Sequence, residues 1–289
     1  MFADTPPKWR KASCGVGPNV LAREAMKRRY LAGFLIAILL GALSLTWWFR
    51  QPARPPIAVG GELPAPCRNA SFEAVAYVVC EIDLHSYDIG VFHSGADGKT
   101  FGSLEKFDKA MSGEGRPVLL AMNAGMYHED LTPVGLLVEG GQERAPLNLA
   151  DGEGNFFLKP NGLFLVGKDG KAAIMETNAY AAARPDAAFA TQSGPMLVIG
   201  GRLHPRFEAN GTSRYIRNGV GVRDANTVVL AISRSQVSLG SFARLFRDAL
   251  NCPNALFLDG VVSALSDGER MIVGGNYAAG PIIAVSAKR

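Results

Sequence analysis

The stretch FEAVAYVVCEI, residues 72–82, indicates how this chain folds. Its apolar side chains are mostly β-branched or aromatic, the types that fit an extended strand, and they follow one another without regular polar alternation. Such a run is typical of a strand that is covered on both faces. Six further short apolar runs, separated by Gly, Asn and Asp, are predicted to be strands: residues 117–122, 134–138, 162–166, 196–199, 227–232 and 255–258. The sequence therefore predicts a domain built mainly from β-strands.

Two helices are predicted between the strands. In residues 242–250 the apolar side chains recur at the spacing of one buried helical face. Ser238 or Ser241 is predicted to cap this helix, and the Asn-Cys-Pro segment 251–253 to end it. A second helix is predicted at residues 103–111. Because helices are few and do not alternate regularly with strands, the predicted fold class is α+β with one large mixed β-sheet.

An uncharged apolar run, LAGFLIAILLGALSLTWWF, occupies residues 31–49. A helix needs roughly 20 apolar residues to cross a bilayer core, and this run approaches that length. Three basic residues, 27–29, precede the run and Arg50 alone follows it directly, which predicts a cytoplasmic N-terminus and an exported remainder. A cleaved signal peptide is the alternative, but it requires a shorter run and small residues where Trp47 and Trp48 stand. The sequence therefore favours an uncleaved, single-pass transmembrane helix.

This helix divides the chain into four parts. Residues 1–30 are predicted to be a cytoplasmic tail, 31–49 the anchor in the cytoplasmic membrane, 50–66 a proline-rich tether and 67–289 one domain facing the periplasm or the exterior. The chain has 30 basic and 26 acidic residues, of which residues 1–50 carry eight and two. The remainder therefore has 22 basic and 24 acidic residues, a net charge of −2. The exported part therefore lacks the basic surface that nucleic-acid binding requires, and no nucleic-acid partner is predicted.

Three of the four cysteines, Cys67, Cys80 and Cys252, fall in the part predicted to be exported. An oxidising compartment permits a disulfide bond, and three thiols allow three pairings. Cys67 and Cys80 are the closest pair in sequence. The prediction is therefore a Cys67–Cys80 disulfide, with Cys252 left free.

Common catalytic and cofactor motifs are absent from the sequence. It contains no G-x-S-x-G, H-E-x-x-H, Walker or G-x-G-x-x-G motif. The four histidines, residues 85, 93, 128 and 204, are scattered without the spacing of metal ligands. No cofactor is predicted, and the participation of a divalent metal is left open.

A set of polar side chains stands in or at the ends of the apolar runs, often next to glycine. They are Asn123, Glu139, Lys159, Asn161, Ser193, Arg217, Asn218 and Asp259. Sites are commonly assembled at such places, because rigid strands fix the positions of loop residues. Each block alone could also be a solvated turn, since Asn-Gly and Asp-Gly are ordinary turn dipeptides. Arg217 is harder to explain in that way, because an arginine in an apolar, glycine-spaced segment needs an anion, a carbonyl or a cleft.

These residues fall in five longer blocks: NAGMYHEDLTPVGLLVEGGQE (123–143), GNFFLKPNGLF (154–164), ATQSGPMLV (190–198), SRYIRNGVGV (213–222) and FARLFRDALNCPNALFLDG (242–260). In these blocks, and from about Cys67 to the C-terminus, the sequence resembles the bacterial branch of the phosphodiester glycosidase family. The resemblance implies hydrolysis of the bond between the anomeric carbon of a sugar and a phosphodiester oxygen. The family tends to have small residues and then Ser after the Asp-Gly pair, whereas this chain has Val261 and Val262 before Ser263.

The resemblance implies roles for the polar residues. Carried over block by block, it implies site positions at Asn123, Lys159, Asn161, Ser193, Arg217 and Asp259. With Glu139 and Asn218 added from the strand-end pattern, the predicted catalytic residues are Asp259, Arg217 and Glu139, and the predicted substrate-binding residues are Asn123, Lys159, Asn161, Ser193 and Asn218. A guanidinium is a planar fork of donors that suits a phosphodiester, and Lys159 would add a point charge. A phosphate leaving group needs little protonation, so the remaining task is to stabilise the oxocarbenium-like centre or to activate water, which is work for a carboxylate. Asp259 is the first candidate for this carboxylate and Glu139 the second.

The predicted partner is therefore a phosphate-linked glycan, in addition to the membrane that the helix crosses. The alternative is a non-catalytic carbohydrate-binding or envelope-assembly module, which would keep Arg217 and the asparagines without depending on Asp259. A serine hydrolase that uses Ser193 is a third alternative, but the sequence places no histidine beside it.

Overall fold

The computed structural model describes residues 63–259 and 262–288. The predicted tail 1–30, the predicted transmembrane helix 31–49 and all but the end of the predicted tether lie outside the described residues. Within the described ranges, no helix is both long enough and apolar enough to cross a membrane.

Three β-sheets make up most of the described chain. The strands are β1 (Cys67–Phe72), β2 (Val75–Asp83), β3 (Tyr87–Phe92), β4 (Leu120–Asn123), β5 (Leu137–Glu139), β6 (Gln142–Ala145), β7 (Gly162–Gly167), β8 (Ala172–Glu176), β9 (Ala187–Ser193), β10 (Met196–Ile199), β11 (Arg202–Leu203), β12 (Asn218–Asp224), β13 (Thr227–Ser233), β14 (Asn254–Phe257), β15 (Leu265–Ser266), β16 (Met271–Val273) and β17 (Ile282–Ala287). A seven-stranded sheet has the order β1-β2-β13-β12-β14-β10-β11, and two five-stranded sheets have the orders β16-β15-β4-β17-β3 and β6-β5-β9-β7-β8. The prediction of an α+β domain dominated by strands is confirmed.

All strand pairings in the described ranges are antiparallel, so the predicted mixed sheet is wrong. The connections explain this result. β1–β2, β7–β8 and β12–β13 are hairpins, and a short turn joins only antiparallel neighbours, whereas parallel neighbours require a long crossover that is usually helical. Apolar runs are typical of parallel strands, but here the stacking of sheets and helices produces the same pattern.

Strand β13 shows how a continuous apolar run is buried on both faces. Val228, Leu230 and Ile232 belong to the core between the sheets, and Val229 and Ala231 pack in the core beneath the helix at residues 239–249. All five side chains are at most 1 % exposed. Each fully buried aliphatic side chain stabilises the fold by about 1.5–3 kcal/mol, so the two-sided burial predicted from the sequence is a main source of stability.

The predicted strand 72–82 contains a turn. β1 ends at Phe72 and β2 begins at Val75, and Glu73 and Ala74 between them have φ angles of 49° and 60°. Such a two-residue hairpin turn usually contains Asn or Gly, so neither residue signals it in the sequence. The hairpin places Cys67 opposite Cys80, and the predicted disulfide between them is confirmed. Cys252 is buried with a free thiol.

Three helices occur in the described ranges: α1 (Leu104–Gly113), α2 (Thr177–Ala183) and α3 (Leu239–Arg244), which continues as a π-helical turn over Leu245–Ala249. Both predicted helices are confirmed in place. Ser103 caps α1 by accepting a hydrogen bond from the N–H of Lys106, and Ser238 caps α3 by accepting one from the N–H of Ser241. Ser238 is therefore the cap among the two serines considered, since its side chain satisfies a free N–H of the first turn. Helix α2 was not predicted.

The antiparallel registers bring most of the predicted polar residues to one end of the strands. Asn123 is the last residue of β4, Ser193 the last of β9 and Asn218 the first of β12. This end of the strands, defined by Asn123, Ser193 and Asn218, is termed the site end. A cavity of about 930 Å³ is lined by residues at the opposite ends of β4 and β9, including Leu119 and Ala188, and is separate from the site end.

Candidate active site

Asn123, Asn218 and Asp259, which are far apart in sequence, meet in one hydrogen-bonded group at the site end. Nδ2 of Asn218 donates to the carbonyl oxygen of Asn123 at 2.8 Å and to its Oδ1 at 3.0 Å. Nδ2 of Asn123 donates to the carbonyl oxygen of Asp259 at 3.1 Å, and the N–H of Asp259 donates to the carbonyl oxygen of Ala124 at 3.1 Å. The backbone of Asp259 is therefore held on both sides while the residue as a whole is only half-buried.

Ser263 belongs to the same group, although the sequence analysis named it only as a difference from the family pattern. Its Oγ lies 2.9 Å from the carbonyl oxygen of Ile216 and 3.2 Å from Oδ1 of Asn218. Its position four residues after Asp259 is the feature of the sequence that could have identified it as a site residue. Its significance depends on a contact with Asn218, which sequence spacing does not show.

Arg217 directly precedes β12 and is only 1 % exposed. Its Nε donates to the carbonyl oxygen of Val237 at 2.9 Å, and its Nη2 donates to the carbonyl oxygen of Ser213 at 3.0 Å. The rings of Tyr215 and Phe257 lie 5.4 Å and 5.1 Å from the guanidinium carbon. Nη1 donates to no described residue, and it is not among the fully buried polar atoms that lack a partner.

The guanidinium of Arg217 is a buried charge. Burial lowers the pKa of Arg217 to about 10, because desolvation disfavours the charged form, and the side chain remains cationic at neutral pH. Among the described residues, no carboxylate forms an ion pair with it. Burying an ion without an opposite charge is costly, on the order of several kcal/mol. The arrangement is therefore suited to an anionic ligand that supplies the missing charge.

Asn161 and Ser193 form a second polar group at the site end. They are brought together because Gly162 of β7 pairs with Ser193 of β9. Nδ2 of Asn161 donates to the carbonyl oxygen of Phe156 at 2.8 Å. Within the described part of the chain, Oδ1 of Asn161 and Oγ of Ser193 are buried without a hydrogen-bond partner. An unpaired buried polar atom costs about 1–3 kcal/mol, so two neighbouring ones mark a place where a ligand hydroxyl would be stabilising.

The two polar groups adjoin each other. The N–H of Phe257, on the strand that leads to Asp259, donates to the carbonyl oxygen of Pro195 at 3.1 Å. Gly125 packs against the backbone of Gln192, where a Cβ on residue 125 would stand 2.5 Å from the carbonyl oxygen. Only glycine permits this approach, so the loop after β4 lies directly on the end of β9. The predicted residues of both groups therefore form one candidate site.

Lys159 lies two residues before Asn161, but its ammonium group is already engaged. Nζ donates to the carbonyl oxygen of Leu149 at 3.0 Å and pairs with Oδ1 of Asp151 at 2.6 Å. The side chains of Lys159 and Asp151 are 36 % and 93 % exposed. An exposed pair of this kind contributes little to stability, so it would be readily replaced by a ligand phosphate.

Glu139 is the predicted site residue that the structure does not bring to this group. Oε1 of Glu139 accepts a hydrogen bond from the N–H of His93 at 3.2 Å, and Oε2 lies 3.8 Å from Nε of Arg144. Val138 pairs with Ala190, so Glu139 continues away from the site end along β9. Its catalytic role stays a prediction that the geometry does not support.

Tyr127 neighbours the site and was not selected by the strand-end pattern. Its hydroxyl donates to the carbonyl oxygen of Ala278 at 2.6 Å. Burial, and secondly the charge of Asp259, raise the pKa of Tyr127 to about 12, so the phenol remains protonated at neutral pH. Its position four residues after Asn123 was the signal that could have identified it.

Among the described residues, no three His, Cys, Asp or Glu side chains are grouped in the way that a metal site requires. The described polar side chains at the site end are amides and hydroxyls, with Asp259 joined to them through its backbone and Arg217 next to Asn218 in the chain. These groups suit a ligand that combines one negative charge with many hydroxyls.

Known proteins resemble this chain in sequence over the range that carries the candidate site. The model of the phosphodiester glycosidase family matches residues 117–272, a range that contains all of the predicted site residues. The protein YigE of Escherichia coli strain K12, itself uncharacterized, is 39 % identical over 168 residues, which are 58 % of this chain and 65 % of YigE. The chain therefore spans just under two thirds of that bacterial relative.

Two solved structures resemble the fold. The catalytic domain of zebrafish N-acetylglucosamine-1-phosphodiester alpha-N-acetylglucosaminidase, auto-inhibited by its pro-peptide, has a TM-score of 0.57 at 14 % identity, covering 80 % of this chain and 85 % of the zebrafish chain. A hypothetical protein from Synechocystis has a TM-score of 0.52 at 14 % identity, covering 77 % and 61 % of the two chains. At this identity the two likenesses show the fold alone.

The family match extends over more than half of the chain and includes both polar groups of the site end. The bacterial relative agrees with the bacterial branch that the sequence blocks indicated. The chain belongs to the phosphodiester glycosidase family.

Proposed function

We propose that this chain hydrolyses sugar-1-phosphodiester linkages in a glycan of the envelope or the exterior. It works outside the cytoplasmic membrane, where the helix 31–49 and the tether 50–66 hold the domain. By its name, the zebrafish enzyme acts on an N-acetylglucosamine-1-phosphodiester. The shared family supports the same class of bond here, without assigning the sugar or its partner group.

The observation that carries this proposal is the buried guanidinium of Arg217. Two of its nitrogens are used to hold backbone carbonyls, which fixes the side chain, and Nη1 donates to no described residue. A phosphodiester carries one negative charge and has oxygens that accept charge-assisted hydrogen bonds. Binding of this anion would supply the opposite charge that no described carboxylate supplies, so Arg217 is preorganised for the phosphate group of the substrate.

Asp259 acts at the anomeric carbon or on the attacking water. Its backbone is fixed from both sides by Asn123 and Ala124, which places this acidic residue beside the group of asparagines at the site end. The phosphate that leaves is a weak base, so departure needs little help from a general acid. The demanding part is the positive charge that develops on the sugar ring, which a nearby carboxylate stabilises.

Asn161 and Ser193 bind sugar hydroxyls. Oδ1 of Asn161 is an acceptor and Oγ of Ser193 is both donor and acceptor, and both lack a partner among the described residues. The same observation argues against a serine hydrolase, because no base bonds to Oγ of Ser193. Lys159 would exchange Asp151 for a phosphate oxygen when the substrate binds.

The proposal is tested by the release of reducing sugar from a panel of sugar-1-phosphodiesters. The full chain is compared with Arg217→Met and Asp259→Asn. Arg223→Met is the matched control, because Arg223 lies at the opposite end of β12 and pairs with Glu81 at 2.9 Å. We expect turnover by the wild type and the control, and large losses in the two site variants.

The binding-module alternative predicts a different result. The wild type would then release no sugar from any member of the panel yet bind glycan, and Asp259→Asn would bind equally well. The membrane part of the proposal is tested separately with a reporter that is active only in the cytoplasm, fused to the C-terminus. Silence is expected, and strong reporter activity would contradict an external domain.

A further inference from the structure

The side-chain amide of Asn123 joins the two ends of one loop. Its Nδ2 donates to the carbonyl oxygen of Asp259 at 3.1 Å, and its Oδ1 accepts from the N–H of Ala264 at 2.9 Å. Asp259 and Ala264, the described residues at the two ends of this loop, are therefore both held by a single planar amide. Any rotation of that amide would break both bonds together, so its orientation determines where the loop starts and ends.

Asn218 and Ser263 hold this amide in place. Nδ2 of Asn218 donates to both oxygens of Asn123, the carbonyl at 2.8 Å and Oδ1 at 3.0 Å. Oγ of Ser263 lies 3.2 Å from Oδ1 of Asn218 and 2.9 Å from the carbonyl oxygen of Ile216. The serine hydroxyl has one proton, and a third acceptor, the carbonyl oxygen of Asp259, lies 3.4 Å from the same Oγ. The orientation of the Asn218 amide is set by its two donations to Asn123, and the serine links that amide to the backbone of Ile216 and Asp259.

These side chains have little capacity left for a ligand. Both N–H groups of the Asn218 amide have acceptors, and its oxygen faces a hydroxyl. Asn161 and Ser193 are as buried as Asn218, but each keeps a polar atom without a partner among the described residues. A residue that binds substrate needs such an atom, and the Asn218 amide offers none.

We infer that Asn123, Asn218 and Ser263 are positioning residues, which hold the backbone of Asp259 and Ala264, the two ends of the loop, in one geometry and do not contact the substrate. The inference rests on the proposed function, in which Asp259 is the catalytic carboxylate. It gives the two asparagines a role different from the substrate binding that the sequence analysis predicted. Catalysis needs such support, since a displacement of about 1 Å at a reacting group costs on the order of a hundredfold in rate.

The test uses the full chain and four variants. Ser263→Ala removes the hydroxyl, Ser263→Thr keeps it, and Ser263→Cys keeps the size with a weaker donor. Ser266→Ala is the matched control, because Ser266 is a fully buried serine three residues further along whose Oγ forms no hydrogen bond with Asn123, Asn218 or Asp259 within the described ranges. Amide hydrogen exchange is measured over residues 259–264, together with kcat and KM for a sugar-1-phosphodiester.

We expect the N–H groups of Asp259 and Ala264 to exchange at least about tenfold faster in Ser263→Ala, because the network that protects them loosens. We also expect kcat to fall at least about tenfold with KM within about twofold, since an interaction felt only in the transition state is lost. Ser263→Thr should recover most of both effects, Ser263→Cys should be intermediate, and Ser266→Ala should match the wild type.

Three results would overturn the inference. Unchanged exchange in Ser263→Ala and Ser263→Cys would show that the serine does not hold the loop, whether or not the protein is active. Faster exchange with unchanged kcat would mean that the loop is held for folding alone. A raised KM with unchanged kcat would mean that the group touches substrate. If the wild type turns nothing over, the proposed function fails, while the exchange measurement still decides whether Ser263 holds the loop, and Ser263→Cys serves if Ser263→Ala does not fold.

Discussion

Replacing Arg217 with methionine tests whether the buried guanidinium binds a ligand or only stabilises the fold. Burial lowers the pKa of Arg217 to about 10, which corresponds to roughly 3 kcal/mol of desolvation that a neutral side chain does not incur. Methionine would leave the carbonyl oxygens of Val237 and Ser213 without these donors, at a cost of about 1–3 kcal/mol each. Because the two contributions oppose each other, the free energy of unfolding should change by no more than about 3 kcal/mol.

Activity should respond more strongly than stability. A charge-assisted hydrogen bond to the phosphodiester is worth about 1.5–3 kcal/mol, so kcat/KM of Arg217→Met should fall about 10- to 150-fold. The kcat/KM of Arg217→Lys should lie between those of the wild type and Arg217→Met. Lysine keeps the charge but lacks the planar fork that fits two phosphate oxygens.

The assay pairs urea unfolding at neutral pH with reducing-sugar kinetics on the same preparations. Arg223→Met serves as the control for the loss of an arginine, because Arg223 lies near the far end of β12, the strand that Arg217 directly precedes. The reasoning would be refuted if Arg217→Met lost more than about 4 kcal/mol of stability while its folded fraction kept the wild-type kcat/KM. In that case Arg217 would be a structural residue.

Three further predictions concern other parts of the domain. Asp259→Asn should keep glycan binding but lose at least about a hundredfold in kcat, measured by reducing-sugar release, and near-wild-type turnover of a folded variant would exclude the catalytic role. Replacing Cys67 and Cys80 by serine should lower the free energy of unfolding by about 3 kcal/mol in urea titrations, and no change would show that the disulfide does not stabilise the domain. Burial raises the pKa of Asp108 to about 6, so the folded state binds more protons than the unfolded state between pH ~4 and ~6, and stability should fall as pH rises through this window. Unfolding of Asp108→Asn across that range should lack this component, and an identical pH dependence in both proteins would contradict it.

The strands that were predicted are those with strong local signals. β10 and β13 are continuous apolar runs, and burial on two faces leaves no polar interruption in the sequence. The turn at Glu73 and Ala74 has no local signal, because its positive φ angles fall on residues that rarely adopt them. It is held by tertiary contacts instead: the carboxylate of Glu73 binds Arg244 at 2.6 Å and Ser241 at 2.7 Å.

The antiparallel pairing could not be predicted from the same runs. A strand buried on both faces has the same composition whether its neighbours are parallel or antiparallel, and the pairing depends on which distant segments meet. β17, at the end of the chain, pairs with both β3 and β4. No local pattern identifies such partners, so the prediction of a mixed sheet had only composition to rest on.

For the site as well, the sequence predicted what depends on neighbouring residues and not what depends on contacts between distant segments. Polar residues at strand ends identified Asn123, Ser193 and Asn218 correctly as residues of one end of the fold. Their bonding could not be inferred, because an amide that binds a ligand and an amide that binds another amide look alike in a sequence. Glu139 also ends a strand, but the register of β5 with β9 places it elsewhere, and register depends on the whole sheet.

The central claim is that this site breaks the bond between an anomeric carbon and a phosphodiester oxygen. Hydrolysis in water enriched in oxygen-18, followed by mass spectrometry of both products, tests it most directly. Attack at the anomeric carbon places the label on C1 of the released sugar and leaves the phosphomonoester unlabelled. Label found in the phosphate, which requires attack at phosphorus, would contradict the account.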